Sequence, residues 1–211
     1  MTEVGLRASM CEIGRRLWQR GLVGAAEGNL SLRLNSKHLL CTPAGASKGH
    51  MRPDDLVVID LRGKLLRGGE PSSEIKLHLA IYRARPDCQA VVHAHPPVAT
   101  GFSLAGETIP DNLLPEAAYV LGSVATVPFA MPGTDEVPDS IGPLLADHKT
   151  FLLSHHGAVV MGHDLVDAYN RMETLERIAR IILTARVLGG AHPMPDRAFD
   201  HVLTYALNGD L

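Results

Sequence analysis

Histidines are the first sign of chemistry in this 211-residue sequence. His93 and His95 are separated by one alanine and directly follow an apolar pair that is typical of a buried strand. Residues two apart on a strand point to the same side, so both imidazoles can face one metal ion. A third donor is available from His155-His156, after a second apolar run. Three neutral imidazoles with an open position are typical of a catalytic site for zinc or a similar divalent ion.

A His-x-His pair taken alone is also compatible with two polar residues at the end of a strand. Two common families that contain such a pair are excluded by its neighbours. A cupin requires a carboxylate soon after the pair, where Ala99 and Thr100 stand, and a metallo-β-lactamase requires Asp-His where Pro97-Val98 stands.

Glu74 is the carboxylate best placed to act with such a metal. It follows Ser72-Ser73 at the predicted start of a helix that runs through Arg85. A carboxylate in a first helical turn is stabilised by the helix dipole without any catalytic role. Beside a metal-bound carbonyl, the same group can remove or return the proton of an adjacent carbon.

Small polar residues occur in three clusters that could bind an anion. The clusters are Gly28-Asn29, Thr42–Gly45 and Ser72-Ser73. Backbone N–H groups in such loops can hold a phosphate without a basic residue, although turns and caps explain each cluster equally well. The chain contains no GxxxxGK[ST] or GxGxxG motif, which disfavours nucleotide binding.

The hydrophobic pattern predicts the elements that must position these residues. Helical spacing and caps predict helices over 3–20, 73–85, 96–104, 135–147 and 164–188. Alternating or short apolar runs predict strands over 30–34, 38–41, 56–60, 64–66, 91–92, 124–127, 150–153 and 158–161. We therefore predict an α/β protein, a three-layer α/β/α fold with a central, mainly antiparallel sheet, as a single domain over 1–211.

Composition excludes several classes of function. A net charge of −3 gives no electrostatic footprint for nucleic acid or an anionic membrane surface. The three cysteines form no CxxC pair and the N-terminus has no signal-peptide pattern, which favours a cytoplasmic protein. The charge-free stretch 117–134 contains two glycines and two prolines, so we interpret it as a buried strand flanked by turns and not as a membrane span.

Taken together, the motifs resemble the class II aldolase/adducin family, which is typified by L-fuculose-1-phosphate aldolase. The matching segments are EGNLSLRL (27–34), TPAG (42–45), PSSE (71–74), AVVHAHP (90–96) and LLSHHG (152–157). Their order and separations also fit, from the first helix to the long C-terminal one.

The resemblance implies a metal-dependent enzyme that acts on a small sugar phosphate. Zn²⁺, or another divalent ion such as Mn²⁺, Co²⁺ or Mg²⁺, would be bound by His93, His95 and His156, and Glu74 would be the catalytic acid/base. The substrate phosphate would be held by the polar clusters, namely Gly28, Asn29, Thr42, Gly45, Ser72 and Ser73. Family members are usually homotetramers with active sites at subunit interfaces.

The activity that the resemblance implies is reversible cleavage of a ketose 1-phosphate to dihydroxyacetone phosphate and an aldehyde, the reaction of an aldehyde-lyase. Leu114 stands where the fuculose enzyme has a tyrosine that protonates the aldehyde, and Glu116 is the nearest substitute acid. A leucine there favours an apolar aldehyde end, so 5-deoxy or 5-methylthio pentulose 1-phosphates join L-fuculose 1-phosphate as predicted substrates.

Four alternatives are compatible with parts of this pattern. A pentulose-phosphate 4-epimerase of the same fold would carry an aspartate in place of Glu74, while a dehydratase or decarboxylase of the superfamily stays open. A non-catalytic, adducin-like module would lack the metal-binding histidines. A Schiff-base aldolase would need a lysine in an apolar context, which the sequence around Lys48 and Lys76 does not predict.

Overall fold

The computed structural model of the protein describes residues 2–208, with side chains to residue 205. Six α-helices occur in this part of the chain: α1 (Glu3–Gln19), α2 (Ile75–Ala84), α3 (Pro97–Leu104), α4 (Glu136–Ile141), α5 (Leu165–Val187) and α6 (Asp196–Asn208). Eight strands accompany them: β1 (Asn29–Arg33), β2 (His38–Cys41), β3 (Val57–Asp60), β4 (Leu65–Arg67), β5 (Ala90–Ala94), β6 (Val124–Val127), β7 (Thr150–Leu153) and β8 (Gly157–Gly162). Across these residues, none of the helices has the length and apolar character needed to cross a membrane.

All eight strands form one sheet in the order β4-β3-β2-β1-β5-β8-β7-β6. Every neighbouring pair is antiparallel except β6 and β7, which are parallel. The predicted α/β class with a mainly antiparallel sheet is therefore confirmed.

Helices cover both faces of the sheet because its central strands are apolar on both sides. Val91 and Val92 alternate on β5, so Val92 packs into an apolar cluster with α1, α3 and α5, while Val91 packs into a second cluster with α2 and α4. The result is the predicted three-layer arrangement. The middle strands β1 and β5 carry Asn29 and His93, and His156 directly precedes the middle strand β8.

The structure differs from the predicted elements in the C-terminal half. The helix predicted over 135–147 ends at Ile141, where Gly142-Pro143 leads into a 3₁₀ turn. The stretch 117–134 contains a π-helical turn, Ala117–Leu121, before β6. Helix α6 was not predicted, although Phe199, Val202 and Leu203 recur at helical spacing within it.

Candidate metal and active site

Strand β5 carries the first two histidines to the centre of the sheet. His93 is fully buried on β5, paired with Asn29 of β1 on one side and Val159 of β8 on the other. His95 lies directly after the strand, and its backbone N–H donates to the carbonyl of Leu22 at 2.9 Å. The predicted same-side orientation is observed, since the two imidazole Nε2 atoms lie 3.2 Å apart.

A tight turn between β7 and β8 brings in the third imidazole. His155 in this turn has φ +57°, and the next residue, His156, places its Nε2 atom 3.2 Å from Nε2 of His93. Gly157 makes the approach possible, because a Cβ there would lie 2.5 Å from the carbonyl oxygen of Ala94. The exposed His155 ring instead faces Phe129.

The three imidazoles fit a divalent metal ion. In tetrahedral zinc sites with Zn–N distances of about 2.0–2.1 Å, neighbouring nitrogens lie about 3.3 Å apart, close to the separations observed here. Nδ1 of His93 donates to the carbonyl of Ala158 at 2.9 Å, which leaves the Nε2 lone pair for a metal. Burial, and secondarily the neighbouring His93, lower the pKa of His95 to about 4, so this imidazole is neutral at physiological pH.

Glu74 closes the remaining side of the histidine cluster. Helix α2 begins one residue after Glu74, so Glu74 is the N-cap residue and lies outside the first helical turn in which it was predicted. Its Oε2 lies 3.0 Å from Nε2 of His93, and its Oε1 lies 3.1 Å from Nε2 of His156. Carboxylate oxygens and imidazole lone pairs that converge in this way are stabilised by a cation between them. We refer to His93, His95, His156 and Glu74 as the His–Glu cluster.

A cavity of about 190 Å³ opens beside the His–Glu cluster. Five of the six residues predicted to bind phosphate line it: Gly28, Asn29, Gly45, Ser72 and Ser73. Gly28 has φ +67°, and a Cβ there would lie 2.7 Å from the carbonyl oxygen of His93. Thr42, the sixth residue, is fully buried and its hydroxyl accepts the backbone N–H of Leu30, so it supports the cavity wall from behind.

Lys48 also lines this cavity, and the prediction that its surroundings would not lower its pKa is wrong. Only 2% of the residue is exposed, and burial lowers its pKa to about 8 against the opposing effect of the Glu74 charge. The ammonium donates to the carbonyls of Ala26 at 2.9 Å and Ala46 at 2.5 Å, which leaves one N–H for a further acceptor. This burial could not be predicted from local patterns, because the loop around Lys48 is rich in glycine and serine and is covered only in the folded chain.

Leu114 and Glu116 are not brought to the His–Glu cluster by the described chain. Leu114 packs against the apolar cluster beneath α1, α3 and α5. Glu116 is exposed at the start of the π-helical turn, and within residues 2–208 no hydrogen bond or ion pair joins it to Glu74 or the histidines. The role of Glu116 in protonating an aldehyde stays a prediction.

The fold and the His–Glu cluster together define a protein of the class II aldolase type. Residues 8–183 match the family described as Class II Aldolase and Adducin N-terminal domain, and the chain belongs to this family. The resemblance found in the motifs is thereby confirmed.

Two activities are represented among the relatives of the chain. It is 40% identical over 184 residues to 3-oxo-tetronate 4-phosphate decarboxylase of Escherichia coli, covering 85% of this chain and 87% of that protein. It is 34% identical over 172 residues to L-fuculose phosphate aldolase of Methanocaldococcus jannaschii, covering 82% and 92% respectively.

The solved structure of YgbL from Escherichia coli, a candidate aldolase/epimerase/decarboxylase, superposes on this chain with a TM-score of 0.89. The two sequences are 35% identical, and the superposition covers 95% of this chain and 99% of that one. The chain is thus similar both to decarboxylases and to aldolases of the family, with higher identity to the decarboxylase.

Proposed function

We propose that the protein is a divalent-metal-dependent decarboxylase of a four-carbon 3-oxo acid phosphate, such as 3-oxo-tetronate 4-phosphate, and that it releases CO₂ and dihydroxyacetone phosphate. This is the decarboxylase alternative left open by the sequence, and it replaces aldol cleavage as the leading interpretation. The higher identity to the decarboxylase supports it. The observation that carries the proposal is that the two carboxylate oxygens of Glu74 lie 3.0 and 3.1 Å from the imidazoles of His93 and His156.

The two reactions differ in the number of protons that must be moved. Aldol cleavage requires proton transfer at the aldehyde oxygen and at the carbon that keeps the electron pair. Decarboxylation requires only the second transfer, because the carboxylate leaves as CO₂ without a proton. Leu114 is partly buried against the apolar cluster and has no proton to donate, and Glu116 is exposed in the described chain. A site in which Glu74 carries the proton therefore suits the reaction that needs one transfer.

The reaction can be balanced with Glu74 as the only acid. The bond between the carboxyl carbon and C2 breaks, and its electron pair moves onto C2 and the adjacent C3 carbonyl as an enediolate. Glu74, carrying a proton taken from solvent, delivers that proton to C2 and yields dihydroxyacetone phosphate. A divalent ion held by His93, His95 and His156 would supply Lewis-acid stabilisation of the substrate oxygens.

The cavity beside Glu74 suits a substrate with two anionic groups. Backbone N–H groups and the side chains of Asn29, Ser72 and Ser73 offer donors for a phosphate. The remaining N–H of Lys48 offers a charged donor for an anion, either the phosphate or the carboxylate.

Replacing Lys48 by methionine is expected to raise KM for the 3-oxo acid phosphate about tenfold to a hundredfold, the scale of a charged hydrogen bond of about 1.5–3 kcal/mol. Lys48→Arg keeps the charge and should recover part of this loss, and the exposed Lys37→Met provides a matched control. Steady-state kinetics and thermal unfolding should be measured for all three variants. A KM equal to that of the wild type in a folded Lys48→Met protein would remove Lys48 from the binding site.

The inhibition constant of dihydroxyacetone phosphate then identifies the anion that Lys48 contacts. This product retains the phosphate and lacks the carboxylate. Weaker inhibition of Lys48→Met than of the wild type would assign Lys48 to the phosphate, and equal inhibition together with a raised KM would assign it to the carboxylate.

A comparison of kcat/KM across substrates tests the proposed reaction. The panel is 3-oxo-tetronate 4-phosphate, L-fuculose 1-phosphate, ribulose 1-phosphate and 5-deoxyribulose 1-phosphate. We expect the oxo acid to be preferred by about 10²-fold or more, because its carboxylate leaves as CO₂ without the second proton transfer that aldol cleavage needs. An equal or greater kcat/KM for a ketose 1-phosphate would restore aldol cleavage as the leading interpretation.

A further inference from the structure

A file of buried polar side chains connects Glu74 to the interior of the protein. Glu74, His78 and Tyr82 are spaced four residues apart along α2 and its start, and Asn29 and Ser31 are spaced two apart on β1. These two spacings place the five side chains on facing surfaces of the helix and the strand. Every member beyond Glu74 is at most 4% exposed.

Hydrogen bonds join the members of the file without a gap. Nδ2 of Asn29 lies 2.7 Å from Oε2 of Glu74, and Oδ1 of Asn29 lies 2.5 Å from Nε2 of His78. Nδ1 of His78 lies 2.6 Å from the hydroxyl of Ser31. The file ends at the hydroxyl of Tyr82, 2.9 Å from that of Ser31.

The chemistry of the groups fixes the direction of every bond in the file. The carboxylate of Glu74 only accepts, so Asn29 must donate through Nδ2 and turn its Oδ1 toward His78. Nε2 of His78 then carries the hydrogen, Nδ1 accepts from Ser31, and Ser31 accepts from Tyr82. Burial lowers the pKa of His78 to about 3, which agrees with the neutral tautomer that this pattern needs.

We infer that His78 is a positioning residue for catalysis: it holds the Asn29 amide so that its N–H, and not its carbonyl, faces Glu74. A flipped amide would place the acceptor Oδ1 against the carboxylate and the donor Nδ2 against the N–H of His78. Neither pair could form a hydrogen bond, and the polar atoms would be left unsatisfied in a buried site. With Oε2 of Glu74 bound to Asn29, Oε1 is the oxygen left to exchange the proton with substrate carbon.

Asn29 therefore binds Glu74 and also offers a hydrogen to the substrate cavity. Its Oδ1 and one of its Nδ2 hydrogens are used within the file, and the second Nδ2 hydrogen remains for the cavity that Asn29 lines. This adds a second role to the predicted one, in which Asn29 helps to hold the phosphate.

The inference rests on the proposed function. Its test measures only the transfer of a proton between Glu74 and a substrate carbon. Exchange of one carbon-bound hydrogen of dihydroxyacetone phosphate in deuterium oxide requires Glu74 but no carboxylate or aldehyde. His78→Leu removes both hydrogen bonds of the imidazole, whereas His78→Gln retains an N–H that can donate to Asn29. We expect exchange to fall about 10–100-fold in His78→Leu, the scale measured for groups that orient site residues, and to recover in His78→Gln.

Affinity and stability separate positioning from folding. Bound metal content should be unchanged in His78→Leu. The calorimetric affinity for dihydroxyacetone phosphate should fall far less than the exchange rate, since Gly45, Ser72 and Ser73 still line the cavity. Tyr82→Phe, at the far end of the file, serves as the control for a change in the buried network that leaves Asn29 bonded to His78. Equal exchange rates in the wild type and in folded His78→Leu would overturn the inference.

A second measurement tests the positioning role of His78 without depending on the proposed reaction. Absence of exchange in the wild type would count against the proposed function alone. The side-chain amide hydrogens of Asn29, followed by nitrogen-15 NMR, would then decide the positioning role. The hydrogen that Asn29 donates to Glu74 should be protected from solvent in the wild type and in His78→Gln and unprotected in His78→Leu, and equal protection in all three would overturn it.

Discussion

Replacement of His156 by alanine is expected to remove the bound metal and lower turnover by about 10³-fold or more, since Lewis-acid stabilisation is worth several kcal/mol. Nε2 of His156 lies 3.2 Å from Nε2 of His93, within the spacing of a tetrahedral site. The neighbouring His155 is exposed and its ring centroid lies 6.2 Å from that of Phe129. His155→Ala should therefore keep its metal and most of its activity.

Metal content after dialysis, determined by mass spectrometry, distinguishes the two adjacent histidines directly. The two substitutions are chemically identical and lie one residue apart, so each controls for damage to the turn between β7 and β8. Equal loss of metal from both variants would show that the third ligand has been assigned wrongly.

Glu74→Gln is expected to lower decarboxylation by about 10²-fold or more, the usual contribution of general acid–base catalysis. The amide has nearly the same shape as the carboxyl group and can still accept the N–H of Asn29, but it cannot carry the proton to C2. Metal content and the affinity for dihydroxyacetone phosphate should stay close to those of the wild type, because the three histidines and the phosphate donors are intact.

Glu70→Gln is the matched control, since it makes the same chemical change at an exposed position of the same loop. Turnover of both variants should be compared at saturating substrate, where differences in binding cancel. Turnover near the wild-type value in a metal-loaded Glu74→Gln protein would remove Glu74 from the proton-transfer step.

Local patterns were sufficient for the fold and for most of the His–Glu cluster. The alternation of Val91 and Val92 predicted a strand buried on both faces, and the His93-x-His95 spacing then required two imidazoles on one side of it. Both statements depend on residues adjacent in sequence. The residues around Glu74 are compatible both with an ordinary helix start and with a base beside a metal, and the resemblance favoured the base.

Features that depend on tertiary contacts could not be predicted in this way. Lys48 is buried because Ala26 and Ala46 offer it carbonyl oxygens from two separate loops. His78 was overlooked although it lies four residues after Glu74, since its partners stand on a strand nearly fifty residues earlier. The single domain over 1–211, the homotetramer and the cytoplasmic location stay predictions, which measurements on the purified protein and on cells can test.

The central claim is that the His–Glu cluster breaks a carbon–carbon bond to a carboxylate and returns one proton through Glu74. The most direct measurement follows 3-oxo-tetronate 4-phosphate, labelled with carbon-13 at the carboxyl group, by NMR in deuterium oxide with metal-loaded protein. We predict labelled CO₂ and dihydroxyacetone phosphate in equal amounts, with one deuterium on the hydroxymethyl carbon that bore the carboxylate. Unchanged oxo acid alongside rapid release of an aldehyde from L-fuculose 1-phosphate would contradict the account.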